Sequence, residues 1–539
     1  MNQQWQSSGH AVTSSASLRS WMALLVLFLQ TGSTHAGTPV AIGSQRELFV
    51  DGGLVESISG AARIELNHPE HREIVMRHDA PWEGSGCGYH SIFRDGDLYK
   101  MYYKAWDLKT LEDRISVGDN RFACYAESKD GIHWVKPSLG LHEFLGNKDN
   151  NIVLVTDLFG ETVIDPVHLS VFKDENPQVA SDGIYKAVVL GHVKGQKKET
   201  GLVILKSGDG FHWQAMTDRP VITEGAFDSQ NLAFWDPVRK EYRAYWRYFN
   251  NRSFGEQESY RKNQGLRDIL TATSPDLINW SKPVPLDYPG AAHEQLYVNQ
   301  VRNYHRAPHL LIGFPVRYTD RGVTGSLSHL PDWEHRQKRI RTSPRYGTAI
   351  TECLLMSSRD GVSFHRWPEA FLRPGIQRPG TWNYGQQYVA WHPVETVSDL
   401  PGAPPELSFY ATEHYWMAGG SHLRRYVMRL DGFASLNAPM TGGELVTVPL
   451  QFEGNQLEIN FSSSAAGSVQ VELLTAKGGP IPGYQLADCD PIYGDELSRT
   501  VTWKNRADVS SLAGKGIQVR FRLQDADLYS YRFYDRAAN

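Results

Sequence analysis

Cysteine is scarce in this chain of 539 residues: Cys87, Cys124, Cys353 and Cys489 stand apart, with no Cys-x-x-Cys pair. Four scattered thiols in so long a chain make neither a disulfide framework nor a zinc site. Cys87 and Cys124 are the one candidate pair, and the thiols are otherwise expected to be buried. Charge of one sign is missing too: 55 Lys and Arg against 60 Asp and Glu leave a net −5. That excludes the global basic field used to hold nucleic acid or an anionic membrane. Apolar runs are short except at residues 21–29, and even that run falls well below the ~20 residues of a membrane-crossing helix. Arg19 precedes the run and Thr34-His-Ala36 follows it, the pattern of a secretory signal peptide cut near Ala36. A secreted or periplasmic protein without a membrane span is expected. Gly-x-Gly-x-x-Gly after a strand, the P-loop, Gly-x-Ser-x-Gly and His-Glu-x-x-His are all absent, so nucleotide, serine-hydrolase and zincin chemistry lack support.

Aromatics, glycine (48) and proline (28) are plentiful, as short strands and turns require. The decisive feature is a repeat. Ser128-Lys-Asp130-Gly131-Ile-His-Trp134 returns as Ser207-Gly-Asp209-Gly210-Phe-His-Trp213, as Ser274-Pro-Asp276-Leu-Ile-Asn-Trp280 and as Ser358-Arg-Asp360-Gly361-Val-Ser-Phe364. A degenerate fifth copy reads Arg429-Leu-Asp431-Gly432-Phe433. Each copy follows an alternating apolar stretch, and Asp-Gly marks a tight turn between strands. In the third unit two further strands precede the turn, Asn231-Leu-Ala-Phe-Trp235 and Tyr242-Arg-Ala-Tyr-Trp246. Four strands per period, repeated five times, predict an all-β chain: a five-bladed β-propeller followed by a C-terminal β-sandwich. The expected division is a signal peptide over 1–36, the propeller over 37–439 and the sandwich over 440–539. Residues 47–66 are expected to close or cap the ring.

In such a ring the starts of the innermost strands and the ends of the second strands share one face. Three consecutive strand starts carry an acid, Asp165, Asp228 and Glu294, the candidate catalytic residues. Cleaving a glycosidic bond takes one protonated and one ionised carboxyl, and a third acid tunes the pair. Glu352, Glu413 and Asp51 are rival acids. Substrate contacts are expected from His90, His168, Asn231 and Gln387 at strand starts, from Lys104, Arg247 and Arg317 at second-strand ends, and from Glu352 and Glu413. The cations suit an anionic sugar or orient the catalytic carboxylates as ion pairs. Trp106, Trp246, Trp382 and Trp416 are candidate stacking platforms. Long loops follow the second strands around 106–120, 249–267 and 319–349. The last holds Arg336, Lys338, Arg339, Arg341 and Arg345 and reads as a solvated lid or subsite wall. No cofactor or catalytic metal is implied, although a structural calcium ion is compatible with the pattern. The expected partner is a carbohydrate, not nucleic acid.

These residues resemble a family. Leu48-Phe-Val-Asp51, Phe227-Asp-Ser-Gln-Asn231 with Phe234-Trp-Asp-Pro237, Leu355-Met-Ser-Ser-Arg-Asp-Gly361, residues 429–436 and Asp525-Ala-Asp-Leu-Tyr529 carry the likeness. They are similar to secreted bacterial five-bladed propeller proteins of planctomycete type, related in fold to glycoside hydrolase families 43, 32, 62 and 68 (arabinanase, levansucrase, invertase). The resemblance implies a glycosidase-like site acting on a plant or algal poly- or oligosaccharide. A non-catalytic carbohydrate-binding protein on the same fold is the alternative. The Asn-Asp-Pro-Asn and Arg-Asp-Pro motifs of family 32 are missing, and Glu352-Cys353 alone echoes its Glu-Cys motif.

Overall fold

The computed structural model describes residues 38–250 and 265–536. The expected signal peptide lies outside the described residues. What is described is nearly all strand, with the helices Trp333–Thr342 (α1) and Pro344–Thr348 (α2) in one connection. No described helix is long and apolar enough to cross a membrane.

Antiparallel sheets follow one another in chain order. The first is built on Gly88–Asp95, Leu98–Thr110 and Ile115–Ser128. The second is built on Thr162–Lys173, Tyr185–Val193 and Gln196–Ser207, and the third on Leu232–Asp236, Glu241–Asn250 and Leu266–Ser274. In the fourth unit the ladder is cut in two. Ala307–Gly313 pairs with Met356–Ser358, and Val316–Asp320 pairs separately with Ala349–Cys353. Pro315 sits at the cut, where it has no N–H for the ladder, though its carbonyl still accepts from Leu354 at 2.8 Å. The fifth sheet joins Val394–Thr396, Glu406–Glu413 and His422–Arg429 to Glu70–Arg77, a strand from before the first sheet.

Middle strands are dense in apolar and aromatic residues because both faces are covered. Glu241–Asn250 is buried from its second residue to its last. Neighbouring sheets are also tied by hydrogen bonds. Val171 N–H donates to Ser91 Oγ (3.1 Å), the Ser170 hydroxyl to the Asn231 carbonyl (2.5 Å), and Asn299 Nδ2 to the Tyr245 carbonyl (3.3 Å). Gln300 Nε2 donates to the Val389 carbonyl (2.6 Å), and Trp391 N–H to the His90 carbonyl (2.7 Å). The last of these links returns the fifth unit to the first.

The repeated turn has one geometry. Ser128 Oγ accepts the Gly131 N–H at 2.9 Å, and Asp130 Oδ1 accepts the N–H groups of Ile132 and His133 at 2.8 Å. Asp209, Asp276 and Asp360 accept the equivalent pairs. The residue after the Asp has positive φ (Gly131 +76°, Gly210 +84°, Gly361 +85°), which is why glycine recurs, and Leu277 takes the same region at +67°. The turn carbonyl of Gly131 accepts from Tyr410, that of Gly210 from Tyr102 and that of Gly361 from Tyr245. Each tyrosine belongs to the preceding sheet, so the turn motif also fastens sheet to sheet.

The fifth copy is different in kind. Asp431 is fully buried and accepts from Arg306 Nε (2.8 Å), Tyr304 Oη (2.9 Å) and Ser530 Oγ (2.8 Å), with Arg46 at 3.4 Å. It anchors a ten-stranded sheet whose longest pair is Gln456–Thr475 with Gly516–Tyr534. Residues 40–66, expected at the ring, belong to this sheet instead: Val40–Gly43, Glu47–Leu48, Val55–Gly60 and Arg63–Leu66 all pair within it. Ile42, Phe49 and Leu54 bury themselves against Phe452, Phe461, Trp503, Phe521 and Phe533, which draws the segment there. Glu70–Arg77 alone of the early strands joins the fifth sheet, beside His422–Arg429. The four cysteines are buried free thiols, so Cys87 and Cys124 are not bridged.

Candidate active site

A floor of tyrosines forms where several sheets end. Tyr89, Tyr297, Tyr318, Tyr384, Tyr388, Tyr415 and Trp416 make one buried cluster, with Trp106 and Tyr346 packed against it. Tyr297 and Tyr388 stack at 5.2 Å, Tyr89 and Tyr388 at 6.2 Å, and the Tyr384 hydroxyl donates to that of Tyr297 at 2.8 Å. The expected cations border this floor. Lys104, on Leu98–Thr110, donates to Tyr415 Oη at 3.0 Å. Arg247, on Glu241–Asn250, lies over the Tyr297 ring at 5.2 Å. Arg317, on Val316–Asp320, joins Glu352 (Nη2 at 2.6 Å) and Glu294 (Nη1 at 2.9 Å).

Every candidate acid has its own cation. Asp165 meets Arg121 and lies 3.2 Å from His168 Nδ1. Burial opposes its ionisation, but the His168 contact, the Arg121 charge and the Val167 N–H prevail and hold the carboxyl below the usual range. Asp228 contacts Arg247 and is about half exposed. Glu294 sits between Arg317 and Arg366. Glu413 is buried against Arg378 and Arg424; again burial is outweighed, and its carboxyl is held low. Asp51 pairs with Arg359 beside Glu47, among the strands of the terminal sheet.

The other expected contacts divide. His168 adjoins the floor, its ring 6.3 Å from Tyr89. His90 is buried beneath it. His78 donates from Nδ1 to the Ser421 carbonyl (2.9 Å), so its Nε2 accepts from His90 Nε2 (3.1 Å), leaving His90 Nδ1 a bare acceptor without a partner. Burial pushes the His90 imidazole well below its usual value, which keeps it neutral. Asn231 is a structural residue: fully buried, it donates to the carbonyls of Phe227 (2.9 Å) and Ser229 (2.8 Å). Gln387 is likewise buried, donating to the Arg373 carbonyl from a backbone at φ +57°. Trp246 is no stacking platform, because it is fully buried with its N–H on the Glu224 carbonyl at 2.7 Å.

The 319–349 connection is not a solvated loop. Helix α1 buries Arg336 and Arg339, and Thr342 Oγ1 accepts the Ile115 N–H at 2.8 Å. Arg336 donates to the carbonyls of Gly347 (3.1 Å) and Trp382 (3.0 Å), Arg339 to that of Tyr415. Burial away from carboxylates lowers Arg339 to about 9. Residues the sequence reading passed over include Arg121, Arg267, Arg366 and Arg378. Arg121 and Arg267 had a signal: they lie on third strands opposite Trp106 and Phe249, as Glu352 lies opposite Arg317. Arg366 and Arg378 had none, since both reach the site from segments that carry no repeat. Among the described residues no group of three His, Cys, Asp or Glu is placed to hold a metal ion.

No protein-family model matches the chain, and no curated protein does. Solved structures do show likenesses. A glycoside hydrolase aligns at TM-score 0.40 and 14% identity, over 67% of this chain and 92% of its own. An N-acetylgalactosamine deacetylase from F. plautii, in complex with blood group B trisaccharide, aligns at 0.39 and 11%, over 68% and 95%. A family 43 arabinoxylan arabinofuranohydrolase from Bacillus subtilis, in complex with cellotetraose, aligns at 0.35 and 12%, over 87% and 99%. Likenesses this distant assign neither a family nor a reaction to the chain.

Proposed function

We propose that the protein is a secreted or periplasmic glycoside hydrolase that cleaves glycosidic bonds of a plant or algal poly- or oligosaccharide. In this reading the five successive units are the blades of a five-bladed propeller. The terminal sheet is then the sandwich of 440–539, extended by 40–66 and Ala434–Ala438. One observation carries the reading: acids from three consecutive units stand beside groups that adjoin one tyrosine cluster, Asp165 beside His168, Asp228 beside Arg247 and Glu294 beside Arg317. Tyrosine faces cover the apolar side of a pyranose or furanose, while carboxylates and guanidiniums meet its hydroxyls.

Asp165, beside Arg121 and His168, or Asp228, beside Arg247, takes the part of base or nucleophile. Glu294 takes that of proton donor together with Glu352. The two glutamates share Arg317. Asp228→Asn and Glu294→Gln are expected to abolish release of reducing ends from the cleaved polysaccharide, with circular dichroism unchanged. Full activity in both variants would overturn the assignment.

A second reading is favoured by the pairing itself. Every candidate acid sits on an arginine, as in a carbohydrate-binding protein that has no need of a free proton donor. Calorimetric binding of an oligosaccharide with no product after prolonged incubation would decide for it.

A further inference from the structure

We propose that the tyrosine-floored site takes a carbohydrate bearing carboxylates, a uronate, rather than a neutral sugar. The proposal rests on the carbohydrate reading above and names the substrate class of the same site. The argument is one of charge. Around the floor, the carboxylates are all matched: Asp165 by Arg121, Asp228 by Arg247, Glu294 and Glu352 by Arg317 and Arg366. The remaining cations are not. Lys104 is 3% exposed, and its ammonium stands 4.3 Å from the centre of the Tyr89 ring, 4.9 Å from Trp106 and 5.2 Å from Tyr415. Arg345 lies over Tyr346 at 4.6 Å and Arg267 over Tyr318 at 4.4 Å. Arg339 is fully buried. None of these four has a carboxylate within ion-pair distance among the described residues.

Ring faces attract a cation, but they do not replace the hydration and counter-charge that burial removes. The groups left without partners point the same way. Six donors are among them, Trp106 Nε1, Trp416 Nε1, Arg267 Nε, Arg345 Nη1, and Nε and Nη1 of Arg339, beside the Tyr388 hydroxyl and the bare acceptor His90 Nδ1. A negatively charged ligand with acceptor oxygens complements them and the cations together, whereas a neutral sugar offers hydroxyl acceptors without the charge. Uronates meet the demand with two planar acceptor oxygens, which suit guanidinium forks. The same cations also bear on Tyr297. Burial opposes ionisation of its phenol, but Arg247, the Tyr384 hydroxyl, Arg267 and Arg345 pull it down.

Titration calorimetry with trimers of galacturonate, guluronate and mannuronate, each beside its carboxyl-reduced counterpart, tests the proposal on the whole protein. At least one acidic trimer is expected to bind roughly tenfold or more tightly than its reduced form, with the preference shrinking as salt rises. Lys104→Met and Arg345→Gln are expected to erase the preference. Because buried substitutions can impair folding, the preference of the unsubstituted protein is the primary reading. Reduced trimers bound as tightly as acidic ones would overturn the proposal and leave the carbohydrate reading standing. Sulfated oligosaccharides bound while uronates are not would overturn the carboxylate assignment alone. Failure of every saccharide to bind would overturn both.

Discussion

Lys104 is a residue that folding alone does not explain. It is buried among Tyr89, Trp106 and Tyr415 with one neutral acceptor, and burial lowers its ammonium to about 7, against the smaller opposing pull of Cys87 and Asp165. A methionine of similar length keeps the packing and removes the desolvated charge. Lys104→Met is therefore expected to stabilise the protein by about 1 kcal/mol or more while impairing ligand binding, checked by urea unfolding beside calorimetry. Asp431 is the opposite case. Burial opposes its charge, yet Arg46, Arg306 and Ser530 hold its carboxyl below the usual range. Its contribution to stability is fully present above the ordinary aspartate range and is lost as pH falls through the depressed folded value. Asp431→Asn strands the Arg306 guanidinium, while Arg46 keeps Glu458, and is expected to cost about 3 kcal/mol at neutral pH and much less in acid, measured by denaturant unfolding at several pH values.

At the scale of the element, the Ser-x-Asp-Gly turn does two jobs. Its Ser and Asp satisfy the turn's own N–H groups, and its glycine carbonyl receives a tyrosine from the sheet before. Gly361 has φ +85°, and a Cβ there would run into Arg243 and Tyr245. Gly361→Ala is expected to cost about 2 kcal/mol or more by thermal unfolding, with Tyr245→Phe costing about 1 kcal/mol through the lost hydrogen bond. The same turn in the third unit carries Leu277, whose buried side chain offsets the strain of its backbone. The repeat was plain in the sequence because backbone geometry dictates it residue by residue. Helix α1 was not, since its sequence is almost wholly polar and its arginines are buried only by finding carbonyls elsewhere in the chain.

For the whole molecule, the expected boundary at residue 439 is crossed by structure on both sides. Val40–Gly43, Glu47–Leu48, Val55–Gly60, Arg63–Leu66 and Ala434–Ala438 all lie in the terminal sheet. A fragment ending at residue 439 would leave Phe49 and Leu54 uncovered and Asp431 without Ser530. It is expected to aggregate on size-exclusion chromatography, whereas the full chain should unfold in a single calorimetric transition. Removing Glu70–Arg77 should be as damaging, because the fifth sheet then loses its outer strand and His422–Arg429 becomes an open edge.

The sequence by itself determined the strand-turn-strand units, their order and the acids and cations that begin and end the strands. Those are consequences of local chemistry: alternation, Asp-Gly turns and register counted from them. Only the tertiary structure decided which of those side chains meet. Arg366 and Arg378 reach Glu294 and Glu413 across 72 and 35 residues, and Arg46 reaches Glu458 across 412. Tyrosines from separate sheets become one floor only when the sheets converge. Scarcity of net charge over the whole chain therefore concealed a local surplus of positive charge. Composition sums over the chain, whereas electrostatic interaction depends on distances that folding alone sets.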